Sequence, residues 1–159
     1  MAPTHSRVED CRNQLLGALR SIDQENGYRT TPRQISLKWI DLDSVRDYPS
    51  LALVIGDERI SPVNSTWTTT SSVLMVYVFG YFRRSEDTEF LEAKEALIQD
   101  VKRALWPLFA AQRNDPENPW VFDLKDTPLQ VRRVPDFGLD RGVFVIEFRV
   151  LLRNVNEEF

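Results

Sequence analysis

The chain has 159 residues, of which 42% are apolar and 28% charged, the size and composition of one soluble globular domain. The formal net charge of −4 excludes a generally basic protein that grips nucleic acid over its whole surface. One cysteine, Cys11, and one histidine, His5, exclude an intramolecular disulfide and the common Cys/His zinc sites. No apolar run reaches the roughly 18 residues that a membrane span needs, so we expect no membrane partner.

The first part of the chain predicts one helix and two strands. Apolar side chains at spacings of three and four make residues 5–26 an amphipathic helix that ends at Gly27. Alternation over 34–42 predicts a half-buried strand, and the continuous apolar run at 50–55 predicts a strand that is covered on both faces. The side chains of the first strand that we expect to point the same way, toward the core, are Ile35, Leu37 and Trp39.

The middle of the chain contains the strongest strand signal. Residues 73–82 are apolar on both faces, so we place this strand at the centre of the sheet. The polar segment 57–72 before it is expected to be an extended arm or a hairpin. Acidic residues early and basic residues late in 86–111 predict a second helix, which Pro107 bends or ends early. The expected buried stripe of this helix is Phe90, Leu97, Val101, Ala104 and Leu108.

The last third predicts three strands, at 120–124, 129–134 and 143–152, and a loose polar end at 154–159. The core-facing side chains of the long final strand are expected to be Phe144, Ile146, Phe148 and Val150. The whole chain, 1–159, then forms one domain with the order α-β-β-β-α-β-β-β. Short connections favour antiparallel pairing, so we predict an α+β two-layer sandwich with a mainly antiparallel sheet and both helices packed on one face.

Few side chains are arranged for catalysis. His5 and Cys11 lie six residues apart, on different faces of the first helix, so they do not form a Cys–His pair. Asp41, Asp43 and Asp47 form an acidic turn without the glycine and closing glutamate of a calcium loop. We interpret this turn as solvated, and we predict neither a metal nor a cofactor.

One enzyme hypothesis stays open. Pro135-Asp136, followed by Glu147 and Arg149, has the pattern of a metal-dependent nuclease, in which two carboxylates hold Mg²⁺ and a lysine orients water. Arginine stands at the lysine position and cannot give up its proton. The alternative interpretation is a turn aspartate and a cross-strand ion pair of Glu147.

The basic residues form two adjacent pairs, Arg83-Arg84 and Arg132-Arg133. Side chains alternate between the two faces of a strand, so the members of each pair are expected to lie on opposite sides of the sheet. We therefore interpret them as solvated or interface ion pairs rather than as a contact surface for DNA.

The order of these segments resembles that of the tail terminator proteins of tailed bacteriophages, the lambda-type minor tail and tail-to-head joining group. The resemblance extends over residues 7–152 and leaves contractile and non-contractile tails both open. It is carried by Gly27-Tyr28, by the segment Tyr48-Pro49-Ser50-Leu51-Ala52-Leu53-Val54-Ile55, by Val78-Phe79-Gly80-Tyr81, by Leu97-Ile98-Gln99-Asp100-Val101 and by the closing strand Val143–Val150.

The resemblance implies a virion protein, made in the host cytoplasm, that is structural rather than enzymatic. It implies a homohexameric ring that caps the tail tube, ends tube polymerisation and offers a docking face to head-completion and neck proteins. DNA then passes through the lumen without specific binding. The alternatives from the residues and the layout are another neck component or, less favoured, the Mg²⁺-dependent nuclease.

A closed ring needs one patch of each subunit to meet a different patch of its neighbour. Strand 73–82 has more apolar surface than two helices on one face can cover. Other candidates are on the 57–72 arm, in the two arginine pairs and in the loop 136–142. The side chains predicted for subunit or partner contacts are Ile60, Trp67, Arg83, Arg84, Arg132, Arg133, Phe137, Asp140 and Arg141.

Overall fold

The computed structural model describes residues 7–61, 69–86, 88–113, 120–122, 130–133 and 140–155. The elements in chain order are α1 (Arg7–Arg20), β1 (Gln34–Ser36), β2 (Ser50–Ser61), β3 (Thr69–Arg83), α2 (Phe90–Arg113), β4 (Trp120–Phe122), β5 (Gln130–Arg133) and β6 (Arg141–Val155). The predicted α+β class and the predicted order of helices and strands are confirmed. The described part contains no helix that is long and apolar enough to cross a membrane.

The six strands form one sheet in the order β1-β2-β3-β6-β4, with β5 also paired to β6. The longest pairing joins β3 to β6 in antiparallel register, from Thr69 opposite Val155 to Arg83 opposite Arg141. β3 therefore lies at the centre, as predicted. β4 and β5 lie beside β6 at residues 150–152 and 144–147, respectively.

Both helices cover the same face of this sheet. The even-numbered residues from 74 to 82 on β3 and from 144 to 152 on β6 point to that face and form the main core with the apolar stripes of α1 and α2. Every expected core residue of the last strand is buried, and the expected stripe of α2 is buried or packs against the core. The buried centre of the stripe is Leu97, Val101 and Ala104, and the strand residues are Phe144, Ile146, Phe148 and Val150.

The first helix is shorter than predicted. It ends at Arg20, where the amides of Ser21 and Ile22 bond three residues back and tighten the last turn. Gly27 does adopt the left-handed conformation of a cap, but it caps the separate 3-10 turn Gln24–Asn26. The apolar period continues through Ile22, which is buried although it lies beyond the helix.

The first strand is the main error of the sequence prediction. It stops at Ser36 instead of reaching residue 42, and it pairs with β2 in parallel rather than antiparallel. The Ser36 hydroxyl donates to the carbonyl of Lys38 and accepts from its amide, which turns the chain out of the sheet. Ile35 packs against the core as expected, but Leu37 and Trp39 are 48% and 56% exposed.

Other boundaries also differ from the expectations. β2 and β3 extend into the segment 57–72, where residues 58–61 pair with 71–74, and residues 62–68 lie outside the described ranges. α2 begins at Phe90 and continues through Pro107 to Arg113, beyond the expected end. β6 pairs as far as Val155, so the predicted loose end at 154–159 is strand at its first two residues.

A close approach on β3 gives a test of this packing. Gly80 lies opposite Phe144, and a Cβ at residue 80 would collide with the phenylalanine ring. Gly80→Ala should therefore lower the free energy of unfolding by about 1–3 kcal/mol. The matched control is Gly17→Ala on α1, where an added Cβ meets nothing within 4 Å. The control should raise stability by up to about 1 kcal/mol. Urea unfolding measures both variants, and an unchanged midpoint for Gly80→Ala would contradict the packing.

Candidate protein-interaction site

Within the described ranges, no helix or strand packs over the face of the sheet opposite the helices. We call this surface the open face and define it by five partly exposed residues: Val54, Met75, Tyr77, Phe79 and Val145. Val54 pairs with Tyr77, and Phe79 pairs with Val145, so side chains from three neighbouring strands form one continuous patch. The rings of Tyr77 and Phe79 lie side by side with centroids 6.4 Å apart.

The composition of the open face is unusual for a solvated sheet surface. An antiparallel sheet that faces water on one side normally alternates apolar and polar residues. β3 instead places valine, methionine, tyrosine and phenylalanine on the side away from the helices. An apolar row of this kind is typical of a surface that contacts another protein. On β6, Glu147 and Arg149 lie opposite Tyr77 and Met75 and border this row with charge.

One end of this side of the sheet is covered by a loop, residues 40–48, which we call the cover segment. Its side chains pack with Ala52 and Tyr81 in a second, smaller core. The Tyr81 hydroxyl donates to the carbonyl of Ile40 at 2.6 Å and accepts from its amide at 3.1 Å. Burial is the main cause that raises the pKa of Tyr81 above its ordinary value, so the phenol keeps its proton and its donor role.

The pair Arg132-Arg133 is split between the two sides of the sheet, as its alternation predicted. Arg132 points to the open side, where its guanidinium lies 2.5 Å from the Glu147 carboxylate. Arg133 points to the helix side and bonds both carboxylate oxygens of Glu95 on α2, at 2.6 and 3.0 Å. Both arginines are thus paired within the chain.

The second basic pair and its neighbours also have partners within the chain. The Arg83 guanidinium lies 5.2 Å from the centre of the Tyr48 ring. Arg84 pairs with Asp140 at 3.2 Å, and Arg141 pairs with Asp43 of the cover segment at 2.7 Å. These contacts join the cover segment and the two strand ends at one end of the molecule.

The remaining predicted contact residues are only partly described. Ile60 lies on β2, with its backbone opposite Ser72. Trp67 and Phe137 lie outside the described ranges. The alternation of apolar residues wrongly predicted that Leu37 and Trp39 lie in the core. Ser36 could have indicated otherwise, because serine side chains often bond the nearby backbone and end a strand in a turn.

The described residues that the sequence offered as catalytic or metal-binding candidates form structural contacts instead. Glu147 forms the cross-strand ion pair that was the alternative to a nuclease site, and Asp136 lies outside the described ranges. Asp43 accepts from Arg141, and the described residues contain no cluster of three potential metal ligands. Burial raises the pKa of the Cys11 thiol to about 12, so this cysteine is not a thiolate nucleophile at neutral pH.

The described residues thus form a sheet with helices on one side and a partly exposed apolar row on the other, and both arginine pairs are engaged within the chain, an arrangement that favours contact with other proteins. Residues 3–106, about two thirds of the chain, match the model of a family described as bacteriophage tail tube terminator proteins. The chain therefore belongs to this family and has a structural role in the phage tail, as a component of the virion. The search of curated proteins found no match to this chain.

The hydroxyl of Tyr81 gives a prediction for the cover segment. Tyr81→Phe removes the partner of both backbone groups of Ile40, so stability should fall by about 1–2 kcal/mol. Amide hydrogen exchange should show faster exchange at Ile40. Tyr77→Phe on the same side of the same strand is the control and should leave the Ile40 amide unchanged. Equal exchange of the Ile40 amide in wild type and Tyr81→Phe would show that the Tyr81 hydroxyl does not hold the cover segment in place.

The ion pair of Glu95 and Arg133 gives a pH dependence. The hydrogen bond from Arg133 is the main cause that lowers the pKa of Glu95. The ion pair therefore stabilises the folded protein fully at a pH above the ordinary pKa of a glutamate. This stabilisation is lost as the pH falls through the lowered pKa of Glu95. Glu95→Gln should cost at most about 1 kcal/mol at pH 7, because both side chains are exposed, and clearly less at pH 3. Urea unfolding of wild type and Glu95→Gln at both pH values measures the loss of stability. An equal loss at pH 3 and pH 7 would contradict the assignment of this stabilisation to the charged form of Glu95.

Proposed function

We propose that this protein forms a homohexameric ring on the end of the tail tube, stops further polymerisation of the tube and presents its outer side to head-completion proteins. Membership of the tail tube terminator family supports the place of action. The observation that carries the ring is the open face, because an apolar sheet surface without a covering layer needs a protein partner. DNA passes through the lumen of this ring without specific binding.

A closed ring requires two different patches on each subunit, since the contact is heterologous. The open face supplies the first patch. The second is the projecting pair Leu37 and Trp39 at the β1 edge of the sheet, and neighbouring subunits place this pair against the open face. Tryptophan is among the residues that contribute most to protein interfaces when buried there.

The second patch is held in a fixed shape before it binds. The bonds between Ser36 and Lys38 fix the turn on one side of Trp39. The two bonds from the Tyr81 hydroxyl to Ile40 fix the other side. A side chain that is already ordered loses less entropy on binding, so this arrangement favours association.

The charged rim around these apolar patches then consists of Arg83, Arg84, Arg132, Asp140 and Arg141, whereas Arg133 points to the helix side and lies outside this rim. Because their ion pairs are exposed, each adds little affinity, and their role is to orient neighbours and exclude incorrect contacts. Ile60, Trp67 and Phe137 are proposed as further contacts on the 57–72 arm and in the loop before β6.

A capping assay tests the proposed function. Purified protein is added to elongating tail tubes of the same phage, and tube length and end density are followed by electron microscopy. We expect elongation to stop, with a six-fold ring at one end of each tube. Binding to head portals without binding to tube ends would instead identify another neck component and overturn the proposal.

Substitutions on the open face test its role in capping. Tyr77→Arg places a charge in the middle of the patch and should raise the protein concentration needed for capping at least tenfold. Met75→Lys on the same strand serves as a second variant. The matched control is Asn13→Arg on the exposed side of α1, which should cap like wild type. Circular dichroism checks that each variant is folded, and a folded Tyr77→Arg protein that caps normally would contradict this contact.

A further inference from the structure

A cavity of about 330 Å³ lies between the start of α2, the end of β3 and the beginning of β2, and the proposed ring contacts do not use it. Its inner lining is apolar and buried or half-buried, whereas two exposed arginines stand at its mouth. This volume is at the small end of ligand cavities and suits one large side chain. We call the cavity the corner pocket and define it by Pro49, Phe82, Ala93, Ala96, Arg29 and Arg83.

A buried carboxylate fixes one wall of the corner pocket. Asp100 on α2 is 1% exposed and accepts hydrogen bonds from the backbone amides of Arg29 and Thr30, at 3.1 and 2.7 Å. The Thr30 hydroxyl donates to the same carboxylate at 2.5 Å. Because this wall is held before anything binds, a ligand loses less free energy to ordering the pocket.

The two arginines at the mouth carry charges that no carboxylate of the described residues neutralises. Arg29 donates to the neutral side-chain amide of Gln99 at 2.9 Å, and the Arg83 guanidinium lies 5.2 Å from the centre of the Tyr48 ring. Both contacts orient a guanidinium and leave N–H groups for an anion. Among the described lining residues only Glu92 is acidic, so two arginines and one glutamate leave the lining with a net charge of +1.

The lining also contains a buried polar atom without a partner. The Tyr48 hydroxyl oxygen is buried and forms no hydrogen bond with the described residues. Such atoms are rare in folded proteins, because an unsatisfied buried group destabilises the fold. A peptide bound in the pocket carries backbone groups that can supply the missing partner.

We propose that the corner pocket of one copy binds the segment 156–159 of a second copy. This segment has the sequence Asn-Glu-Glu-Phe and follows β6 directly. Phe159 fills the apolar interior of the pocket, and the carboxylates of Glu157 and Glu158 pair with the two arginines at the mouth. The contact needs only two copies and does not depend on the ring.

Chain length excludes the pocket of the same subunit. Val155 lies opposite Thr69 at one end of β3, whereas Arg83 lies at the other end of that strand. The fourteen residue steps from Thr69 to Arg83 correspond to about 46 Å, and four residues span at most about 14 Å. The segment therefore reaches only a neighbouring copy, and the contact is heterologous because it joins opposite ends of two subunits.

Peptide binding tests the proposal directly. The probe is a fluorescein-labelled, amidated peptide of residues 153–159, and its binding is followed by fluorescence anisotropy. The receiving protein is the full-length chain with Phe159→Ala, so that its own segment does not compete. We expect saturable binding, at least tenfold weaker for a peptide in which alanine replaces the phenylalanine. Glutamine in place of both glutamates should weaken binding at least fivefold.

Substitutions in the receiving protein locate the site. Arg83→Glu reverses a charge at the mouth and Ala93→Leu fills the interior, so each should weaken peptide binding at least fivefold. The matched control is Arg59→Glu, at an exposed arginine on β2 opposite Val73, far from the pocket along the sheet. This control should bind the peptide as before, and circular dichroism checks that each variant is folded.

Three results would overturn the proposal: no saturable binding of the peptide, equal weakening by Arg59→Glu and Arg83→Glu, or unchanged binding by folded Ala93→Leu. The second result would show general attraction between charges instead of a site. Capping is measured separately, so failure of the peptide to bind leaves the ring proposal standing.

Discussion

The antiparallel ladder between β3 and β6 determines how the rest of this molecule is arranged. Both strands run for fifteen residues, and the even-numbered side chains at 74–82 and 144–152 form the core with the two helices. Because side chains alternate, a ladder this long and this apolar necessarily presents a second row on its other side. Within the described residues only the cover segment packs on part of that row, so the same ladder that forms the core also leaves an apolar surface on its other side.

The cover segment shows how far the chain satisfies this need alone. The Tyr81 hydroxyl bonds Ile40, and the segment packs with Ala52 in the second core, against which Phe79 also packs. Tyr77, whose ring lies beside that of Phe79, is partly exposed and does not belong to this second core. The arginines at the sheet ends are already engaged within the chain. The open face is therefore the surface of this tail tube terminator that we propose for assembly.

The sequence was sufficient to predict the helices, the central strand, the last strand and their burial, because these segments have long and strict periods. The prediction failed at β1 because residues 37–39 continue the alternating pattern of a strand. The strand itself ends at Ser36, whose hydroxyl bonds the backbone of Lys38. The buried Ile22 extended the apparent period of α1 in the same way. The split of Arg132 and Arg133 across the sheet was predictable from alternation alone, whereas their partners Glu147 and Glu95 depend on tertiary pairing that no local pattern contains.

Hydroxyl-radical footprinting offers the decisive test of whether another protein buries the open face at the tube end. Methionine and tyrosine are readily oxidised when they are accessible, so Met75 and Tyr77 report on this surface in the free protein and in isolated capped tubes. We expect the oxidation rates of both residues to fall severalfold on capping. Capped tubes in which Met75 and Tyr77 are oxidised as fast as in the free protein would show that the open face is not the surface used for assembly.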